Sequence, residues 1–445
     1  MKWENPGHEY DELGAYYKNV KTIYLYGSEE DSKSLADQLY FLDFPVVIVD
    51  SIDAGDRMAM GMTRIRSAQK AGKLNVKNVV QKLRRMEGKG EVAGEGVLLS
   101  DVPIYTPKIN YKHEASLPKN LNNGSSILIL TGPMAFDIKR VEKKYGLICG
   151  KNLYTSSEFM RKYLPIFSVY VRNKVYFPDV AHVCTTVCTL NCEKCLNFAP
   201  YDQNKHHMSL DQLKKDADLF FTSVDRVGLY HVTGGEPTTN PDLIELLTYI
   251  REKFGDKIYN LLTVTNSVDV LSDDLCGALN KLHVGIQLDD YSRTAKRAGE
   301  ALHENIKKIR SFGVRYDLLQ ATEWMSVFPP KKSTKEWDLK EKYDTCSCDF
   351  ETLKDGKVYT CSYCRFAMTA GIIPDCDTDY FKLSEDDTKI NEDYRKRLVE
   401  FRMGYSDLGY ASFCKYCNGF PNINPETIPP AEQIQGFLTW ERPED

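Results

Sequence analysis

The sequence predicts an α/β protein built around a parallel β-sheet that is either open or curled into a barrel. From about residue 175, apolar strand-like stretches alternate with stretches that have helical spacing. A shorter β-α-β pattern occupies the N-terminal region, and residues 346–420 lose the helical rhythm and become rich in cysteine. We therefore expect three domains, over residues 1–165, 175–335 and 340–445.

Composition narrows the class of protein. The 445 residues are 42% hydrophobic, which is enough for a large core, and the net charge of -5 argues against a nucleic-acid partner. No apolar run reaches the roughly 18 residues that a membrane helix needs, and the N-terminus is not a signal peptide. We expect a soluble, cytoplasmic protein without a membrane span.

The 13 cysteines are clustered. Apart from Cys149 and Cys276, they lie within residues 184–195 and 346–417. Because the cytosol keeps thiols reduced, such clusters are more typical of metal binding than of disulfides.

The N-terminal region predicts a small Rossmann-like α/β domain. Predicted strands lie at 22–27, 44–50 and 125–132. The basic segment 64–90 is interpreted as a solvated helix face, with an anionic ligand as the alternative. No G-x-G-x-x-G motif is present, so the sequence does not support dinucleotide binding here.

The second region contains five predicted strands: "VYFPDVAHVCTTV", "RVGLYHVTGG", "IYNLLTVTNS", "HVGIQLDDY" and "VRYDLLQATEW". In parallel α/β folds the functional site lies at the C-terminal ends of the strands. Several polar, cysteine and glycine residues fall at these ends: Cys188, Gly234, Gly235, Glu236, Asn266 and Asp289.

The run "HVCTTVCTLNCEKC" has the spacing Cys188-x3-Cys192-x2-Cys195. Three thiolates on a tight loop suit a [4Fe–4S] cluster in which one iron stays open to another ligand. The alternative is zinc, held by Cys192 and Cys195 with Cys414 and Cys417. Cys184 precedes the loop in the strand, so we expect it near the cluster without ligating it.

A second motif, "HVTGGEP" (231–237), ends the next strand. Paired glycines allow the backbone to approach a ligand closely. The carboxylate of Glu236 can accept hydrogen bonds from an ammonium group.

The stretches "CTLNCEKC", "TGGEP", "TVTN" and "IQLDD" together resemble the radical S-adenosylmethionine enzymes, over about residues 175–325. The resemblance implies a partial (β/α)6 TIM-like barrel, with a [4Fe–4S] cluster held by Cys188, Cys192, Cys195 and S-adenosylmethionine. It also implies that Gly234, Gly235 and Glu236 bind the amino group of S-adenosylmethionine, and that Asn266 with Gln287 or Asp289 faces the ribose. Lys194 departs from the family, which often has an aromatic residue before the third cysteine.

The family chemistry is a one-electron cleavage of S-adenosylmethionine, and the resulting 5′-deoxyadenosyl radical abstracts a hydrogen atom. It requires a reductant such as flavodoxin or ferredoxin. An oxidising member sends an electron to an auxiliary cluster and a proton to a base. His231 is more typical of a core histidine than of that base.

The C-terminal region predicts a hairpin at "LKDGKVYTC", with Asp355-Gly356 as its turn. The region resembles the SPASM and twitch auxiliary-cluster domains of the same family. One auxiliary [4Fe–4S] cluster is implied, with the ligands Cys346, Cys361, Cys414 and Cys417, and zinc is the alternative. Cys348, Cys364 and Cys376 are surplus, and Cys348 or Cys364 is a candidate hydrogen-atom donor for an epimerase.

The tail "CKYCNGFPNINPETIPPAEQ" resembles a subgroup that we associate with carbohydrate pathways. The first hypothesis is therefore epimerisation or oxidation at a hydroxyl-bearing carbon of a sugar, nucleotide-sugar or glycoconjugate. The second is maturation of a ribosomally made peptide, with the N-terminal domain holding the substrate. The third is a non-enzymatic iron–sulfur or zinc protein.

Overall fold

A computed structural model describes residues 8–50, 112–114, 116–330, 339–346, 351–420 and 423–441. The basic segment 64–90 and Cys348 lie outside the described residues. The chain divides into two compact units, one of Tyr10–Lys174 and one of Met1–Glu9 with Val175–Asp445. Both units contain mostly parallel sheets, so the predicted α/β class is confirmed.

The N-terminal unit is a parallel sheet with short helices. Its described strands are β1 (Thr22–Gly27), β2 (Val46–Asp50), β3 (Lys112–Glu114), β4 (Ser126–Leu130) and β5 (Leu153–Thr155). Its described helices are α1 (Asp11–Lys18), α2 (Glu29–Leu39), α3 (Ile138–Tyr145), α4 (Ser156–Glu158) and α5 (Leu164–Arg172). The strands predicted around 22–27, 44–50 and 125–132 are formed.

The strand order in this unit is β3-β2-β1-β4-β5, and the described pairings are parallel. Every residue of β4 is buried. Val47 and Val49 of β2 share one apolar cluster with Leu128 and Leu130 of β4. Such uninterrupted apolar strands are typical of parallel sheets that are covered on both faces.

The larger unit contains the remaining strands. They are β6 (Tyr176–Thr185), β7 (Arg226–Gly234), β8 (Ile258–Thr265), β9 (Gly285–Asp290), β10 (Tyr316–Gln320), β11 (Trp324–Met325), β12 (Thr352–Lys354), β13 (Lys357–Tyr359), β14 (Tyr380–Lys382) and β15 (Thr427–Ile428). Its helices are α6 (Leu210–Ser223), α7 (Leu243–Phe254), α8 (Asp273–Lys281), α9 (Lys296–Ser311), α10 (Leu339–Thr345), α11 (Ser362–Thr369) and α12 (Glu392–Arg402).

Eight of these strands form one sheet in the order β10-β9-β8-β7-β6-β12-β13-β14. The pairings from β10 to β12 are parallel, and β13 and β14 add antiparallel strands at one edge. Helices follow β6, β7, β8 and β9, as the alternating sequence pattern predicted. Ser209 and Ser272 cap α6 and α8 by accepting hydrogen bonds from backbone N–H groups of the first turn.

The two faces of this sheet differ. In β7, Tyr230 and Val232 are fully buried, and Phe221 of α6 stacks on Tyr230 with ring centroids 5.4 Å apart. The alternating residues His231 and Thr233 are only partly buried. Since side chains alternate along a strand, helices cover one face, whereas the other, here called the open face, is less covered.

The predicted C-terminal hairpin is present as β12 and β13. Its turn residues Asp355 and Gly356 have φ angles of 52° and 67°, which a two-residue hairpin turn of this type requires. The carboxylate of Asp216 in α6 accepts hydrogen bonds from both backbone N–H groups, at 2.9 Å from Asp355 and 2.7 Å from Gly356. Leu353 is aligned with His182 of β6. The hairpin is therefore attached to the sheet at both its strand and its turn.

Among the described helices, none has the length and apolar character needed to cross a bilayer.

Candidate functional site

Cys188, Cys192 and Cys195, here called the first thiol group, follow β6 directly. The backbone N–H of Cys195 donates to the carbonyl of Cys192 at 3.1 Å, which closes a tight turn between them. Burial raises the pKa of the Cys188 thiol to about 12, and the nearby Cys195 and Cys192 thiols raise it further. Burial likewise raises the pKa of Cys192 to about 12 and that of Cys195. The structure therefore brings the three predicted cysteines together.

Two side-chain amides point at sulfur atoms of the first thiol group. Asn266 Nδ2 lies 3.5 Å from Cys188 Sγ, and Gln433 Nε2 lies 3.1 Å from Cys192 Sγ. Hydrogen-bond donors around thiolates are the surroundings that iron–sulfur clusters use. The donor set therefore fits a cluster held by three thiolates.

Among the described residues, no group of three or more His, Cys, Asp or Glu side chains is arranged to hold one metal ion. Ligands of a cluster bind different irons, so they lie farther apart than the ligands of a single ion.

Cys184 lies in β6 and is fully buried. Its carbonyl accepts hydrogen bonds from Asn240 Nδ2 at 2.8 Å and from the backbone N–H of Met208 at 3.1 Å. Burial raises the pKa of its thiol to about 12.

The paired glycines after β7 are needed for close backbone packing. A Cβ atom on Gly234 would lie 2.2 Å from the carbonyl oxygen of Thr185, and one on Gly235 would lie 2.2 Å from that of Val187. The N–H of Gly235 donates to Thr185 at 2.9 Å, and that of Glu236 donates to Val187 at 2.7 Å. The turn is therefore joined to the start of the cysteine loop, and these two N–H groups have partners within the chain.

Glu236 is 2% exposed, and burial raises the pKa of its carboxyl. One carboxylate oxygen accepts from the N–H of Asn266 at 2.7 Å, and the other accepts from Thr238 Oγ1 at 2.7 Å. The carboxylate thus connects the end of β7 to the end of β8.

Asn266, at the end of β8, faces the cysteine loop. Besides its contact with Cys188, its Nδ2 donates to Thr189 Oγ1 at 3.0 Å, and its Oδ1 accepts from the N–H of Val268 at 3.1 Å.

Gln287 and Asp289 lie together at the end of β9. Gln287 Nε2 donates to Asp289 Oδ1 at 2.9 Å, and the Tyr291 hydroxyl donates to Asp289 Oδ2 at 3.2 Å. Burial raises the pKa of Asp289 to about 6. Tyr291 packs with Cys188 and Cys195 in one apolar cluster, so this pair lies beside the first thiol group.

Strand register places further polar groups on the open face. His231 is aligned with Leu262, and Leu262 is aligned with Gly285. Gln287 and Asp289 follow Gly285 at two-residue steps, so they share a face with His231. Within the described part of the chain, His231 Nε2 is buried without a hydrogen-bond partner, and burial lowers the pKa of this imidazole to about 4.

Two contacts of the cysteine loop were not expected from the sequence. Asn197 Nδ2 donates to the carbonyl of Gly234 at 2.7 Å, which joins the far end of the loop to the glycine turn. In addition, residues 431–438, here called the tail segment, cross the loop. The N–H of Glu193 donates to the carbonyl of Glu432 at 2.8 Å, and the N–H of Ile434 donates to that of Asn191 at 3.0 Å. No local signal indicates this pairing, because the partners lie more than 200 positions apart in the sequence.

The described C-terminal cysteines also converge. The pKa of the Cys414 thiol is raised well above its usual value, mainly by burial. The nearby thiols of Cys361, Cys417 and Cys346 raise it further. Burial raises the pKa of Cys417 to about 12, with further contributions from Cys361 and Cys346. We call Cys346, Cys361, Cys414 and Cys417 the second thiol group. These four buried or half-buried thiols are the set predicted from the sequence, and their chemistry fits a second cluster.

The surplus cysteines have other contacts. Cys364 is 1% exposed, and its thiol donates to Asp379 Oδ2 at 3.3 Å and lies 3.7 Å from Ser412 Oγ. Cys376 Sγ lies 3.1 Å from Thr378 Oγ1. The described residues thus show Cys364 packed behind the second thiol group, beside a carboxylate.

Comparison with known proteins identifies one part of the chain. Residues 183–321 match the model of the Radical SAM superfamily, so this stretch is a Radical SAM domain. No curated protein matches the chain.

Three solved structures illustrate the likeness. "Native anSMEcpe with bound AdoMet" covers 59% of this chain and 92% of its own, at 12% identity and a TM-score of 0.37. "BtrN in complex with AdoMet and 2-DOIA" covers 57% and 97%, at 13% identity and a TM-score of 0.34. Streptococcus suis SuiB bound to S-adenosylmethionine covers 41% and 46%, at 14% identity and a TM-score of 0.23.

Proposed function

We propose that this chain is an enzyme that abstracts a hydrogen atom from a carbinol carbon of a sugar, nucleotide-sugar or glycoconjugate, which leads to epimerisation or oxidation. The observation that carries the proposal is the convergence of three buried or half-buried thiols directly after β6, beside the turn that ends β7. This arrangement lies within the Radical SAM domain.

Cys188, Cys192 and Cys195 would hold a [4Fe–4S] cluster. When bound, the cluster and S-adenosylmethionine supply the 5′-deoxyadenosyl radical that removes the hydrogen atom. The amides of Asn266 and Gln433 donate toward two of the sulfur atoms, which favours the thiolate form that metal binding requires.

The strand-end residues would bind S-adenosylmethionine itself. Gly234, Gly235 and Glu236 are proposed for its amino group, and Asn266 with Gln287 or Asp289 for its ribose. The support is their common position at the carboxyl edge of adjacent parallel strands, where ligands of such folds bind. Glu236 and Asn266 are held in place by hydrogen bonds within the chain. A site that is already ordered loses less conformational freedom when the cofactor binds.

A hydroxyl-bearing substrate suits the open face. This face presents partly buried polar groups from neighbouring strands, namely His231, Thr233, Gln287 and Asp289. Because burial lowers the pKa of His231 to about 4, its imidazole is neutral near pH 7 and can form a hydrogen bond with a hydroxyl group, although it is a weak base.

The second thiol group would hold one auxiliary [4Fe–4S] cluster, in a twitch-like domain over about residues 340–445. Cys364 or Cys348 is the proposed hydrogen-atom donor if the product is an epimer. Residues 1–165 are proposed as a Rossmann-like domain, since the strand order of the N-terminal unit is that of doubly wound sheets. A flavodoxin or ferredoxin is the proposed reductant.

Anaerobic reconstitution tests the cofactor part of the proposal. We expect about eight irons per chain, four for each cluster, and release of 5′-deoxyadenosine when dithionite is added with S-adenosylmethionine. About one zinc per chain and no cleavage would show that the radical chemistry is wrong.

Incubation in deuterated water with nucleotide-sugars and, in parallel, candidate peptides tests the substrate part. Deuterium at a carbinol carbon indicates epimerisation, and loss of two hydrogen atoms indicates oxidation. Turnover of the peptides alone would replace the sugar proposal with peptide maturation.

A further inference from the structure

Lys342, in α10, lies directly against the second thiol group. The residue is 6% exposed, and its Nζ donates to the carbonyl oxygen of Cys414 at 2.8 Å and also to that of Cys417. Its own carbonyl accepts from the N–H of Cys346 at 2.9 Å. The buried ammonium group thus contacts the backbone of two of the four proposed ligands, and the backbone of the same residue contacts a third.

The charge of this lysine lies close to the second thiol group. Its ammonium group is buried and is hydrogen-bonded to the peptide carbonyls of Cys414 and Cys417, two of the proposed ligands. Charges interact more strongly when they are removed from water, so a buried ammonium group stabilises negative charge near it. Reduction adds one negative charge to a thiolate-bound cluster, and a neighbouring cation therefore favours the reduced form.

The first thiol group has a different cation. Lys205 is only partly buried, and its Nζ contacts Asn191 Oδ1 at 3.4 Å, next to Cys192, instead of the backbone of a cysteine. Solvent screens a partly exposed charge, so its effect on a cluster is smaller. Lys205 is therefore a matched control for Lys342.

We infer that Lys342 raises the reduction potential of the auxiliary cluster that the second thiol group would hold. The inference rests on the proposed function, and of the two proposed reactions it favours oxidation over epimerisation. Oxidation of a carbinol to a carbonyl removes one hydrogen atom from the carbon, which the 5′-deoxyadenosyl radical would take up, together with one proton from the hydroxyl group and one electron. A base would accept the proton, and a cluster held by the second thiol group would accept the electron more readily when its reduction potential is higher. Lys342 is a positioning residue in this scheme, since it acts through the cysteines.

The test uses the full chain with Cys188→Ala, Cys192→Ala and Cys195→Ala, so that the second thiol group alone takes up a cluster. Lys342→Gln keeps an N–H donor and removes the charge, Lys342→Arg keeps the charge, and Lys205→Gln is the control. The midpoint potential is measured by redox titration with electron paramagnetic resonance. We expect Lys342→Gln to disfavour reduction at least tenfold, which is about 59 mV for one electron. Lys342→Arg and Lys205→Gln should keep the parent potential.

The inference is overturned if Lys342→Gln keeps a four-iron cluster at the parent potential. If Lys342→Gln does not assemble a cluster, Lys342→Met is titrated in its place under the same criterion. If the parent chain of this series binds no iron at all, the auxiliary cluster of the proposed function is wrong and the inference fails with it. The iron content thus separates failure of the proposed function from failure of the inference.

Discussion

The two thiol groups of this chain are built in different ways. The first lies on one loop, where three cysteines fall within eight positions, and amide side chains point at its sulfur atoms. The second is assembled from α10, the end of a hairpin and a turn near residue 415, and a buried lysine contacts its backbone. Local spacing therefore defines the first site, whereas tertiary structure defines the second. The surroundings also differ in charge, which favours different redox properties in the two proposed clusters.

The largest expected effect is the loss of iron when a cysteine of the first thiol group is replaced, compared with replacement of Cys184 in β6. Cys188→Ser should lower the iron content from about eight to about four per chain and abolish 5′-deoxyadenosine formation, because one ligand of the first cluster is lost. Cys184→Ser is the matched control, and it should keep both iron content and cleavage. Equal iron loss in the two variants would contradict the assignment of three ligands.

The converse change addresses the second thiol group. Cys414→Ser should also remove about four irons per chain, but reductive cleavage of S-adenosylmethionine should continue, since the first cluster remains. Cys376→Ser serves as the control with full iron content. Loss of cleavage in Cys414→Ser, with the first cluster still visible by spectroscopy, would mean that the two sites are not independent.

Thiol reactivity in the metal-free chain should depend strongly on pH. Burial raises the pKa of Cys188 from 9.0 to about 12, and this three-unit difference means on the order of a thousandfold less thiolate at pH 8. Because the thiolate is the reactive form, alkylation of Cys188 should be slow and should still accelerate above pH 9. The rate is measured by mass spectrometry, with the urea-unfolded chain as reference. A rate that levels off at the same pH in both states would contradict the burial effect.

The smallest effect concerns the tail segment. Gln433→Leu removes the donor to Cys192 Sγ and should make reduction of the first cluster up to about tenfold less favourable, or about 59 mV. Gln435→Leu is the matched control, since the described residues show no side-chain hydrogen bond for Gln435. Potentials are compared by redox titration, and equal shifts in both variants would show that Gln433 has no specific role.

The sequence was most informative where a function depends on nearby residues. The turn at Asp355-Gly356 needed only local geometry, and it was predicted at the correct position. The alternation of strands and helices predicted the parallel sheet for the same reason. The spacing of Cys188, Cys192 and Cys195 is equally local, and their role as cluster ligands stays a prediction. Contacts between residues far apart in the sequence, such as that of Gln433 with Cys192, could not be predicted, because neither periodicity nor composition indicates them.

The glycine turn illustrates a second limit. The motif predicted close backbone approach to a ligand, whereas in the structure Gly234 and Gly235 are needed because the turn packs on the carbonyl groups of Thr185 and Val187. A glycine pair indicates that something approaches closely, but it does not indicate what approaches. Similarly, no pattern in the sequence indicated that the thiol of Cys364 donates to Asp379.

The tail segment has a consequence for biosynthesis. The cysteine loop leaves the ribosome long before Gln433, its partner, which is encoded 241 positions later than Cys192. During that interval the loop lacks the backbone pairing that crosses it in the finished fold. A chain that ends before residue 431 would therefore lack both this backbone pairing and the hydrogen-bond donor to Cys192 Sγ.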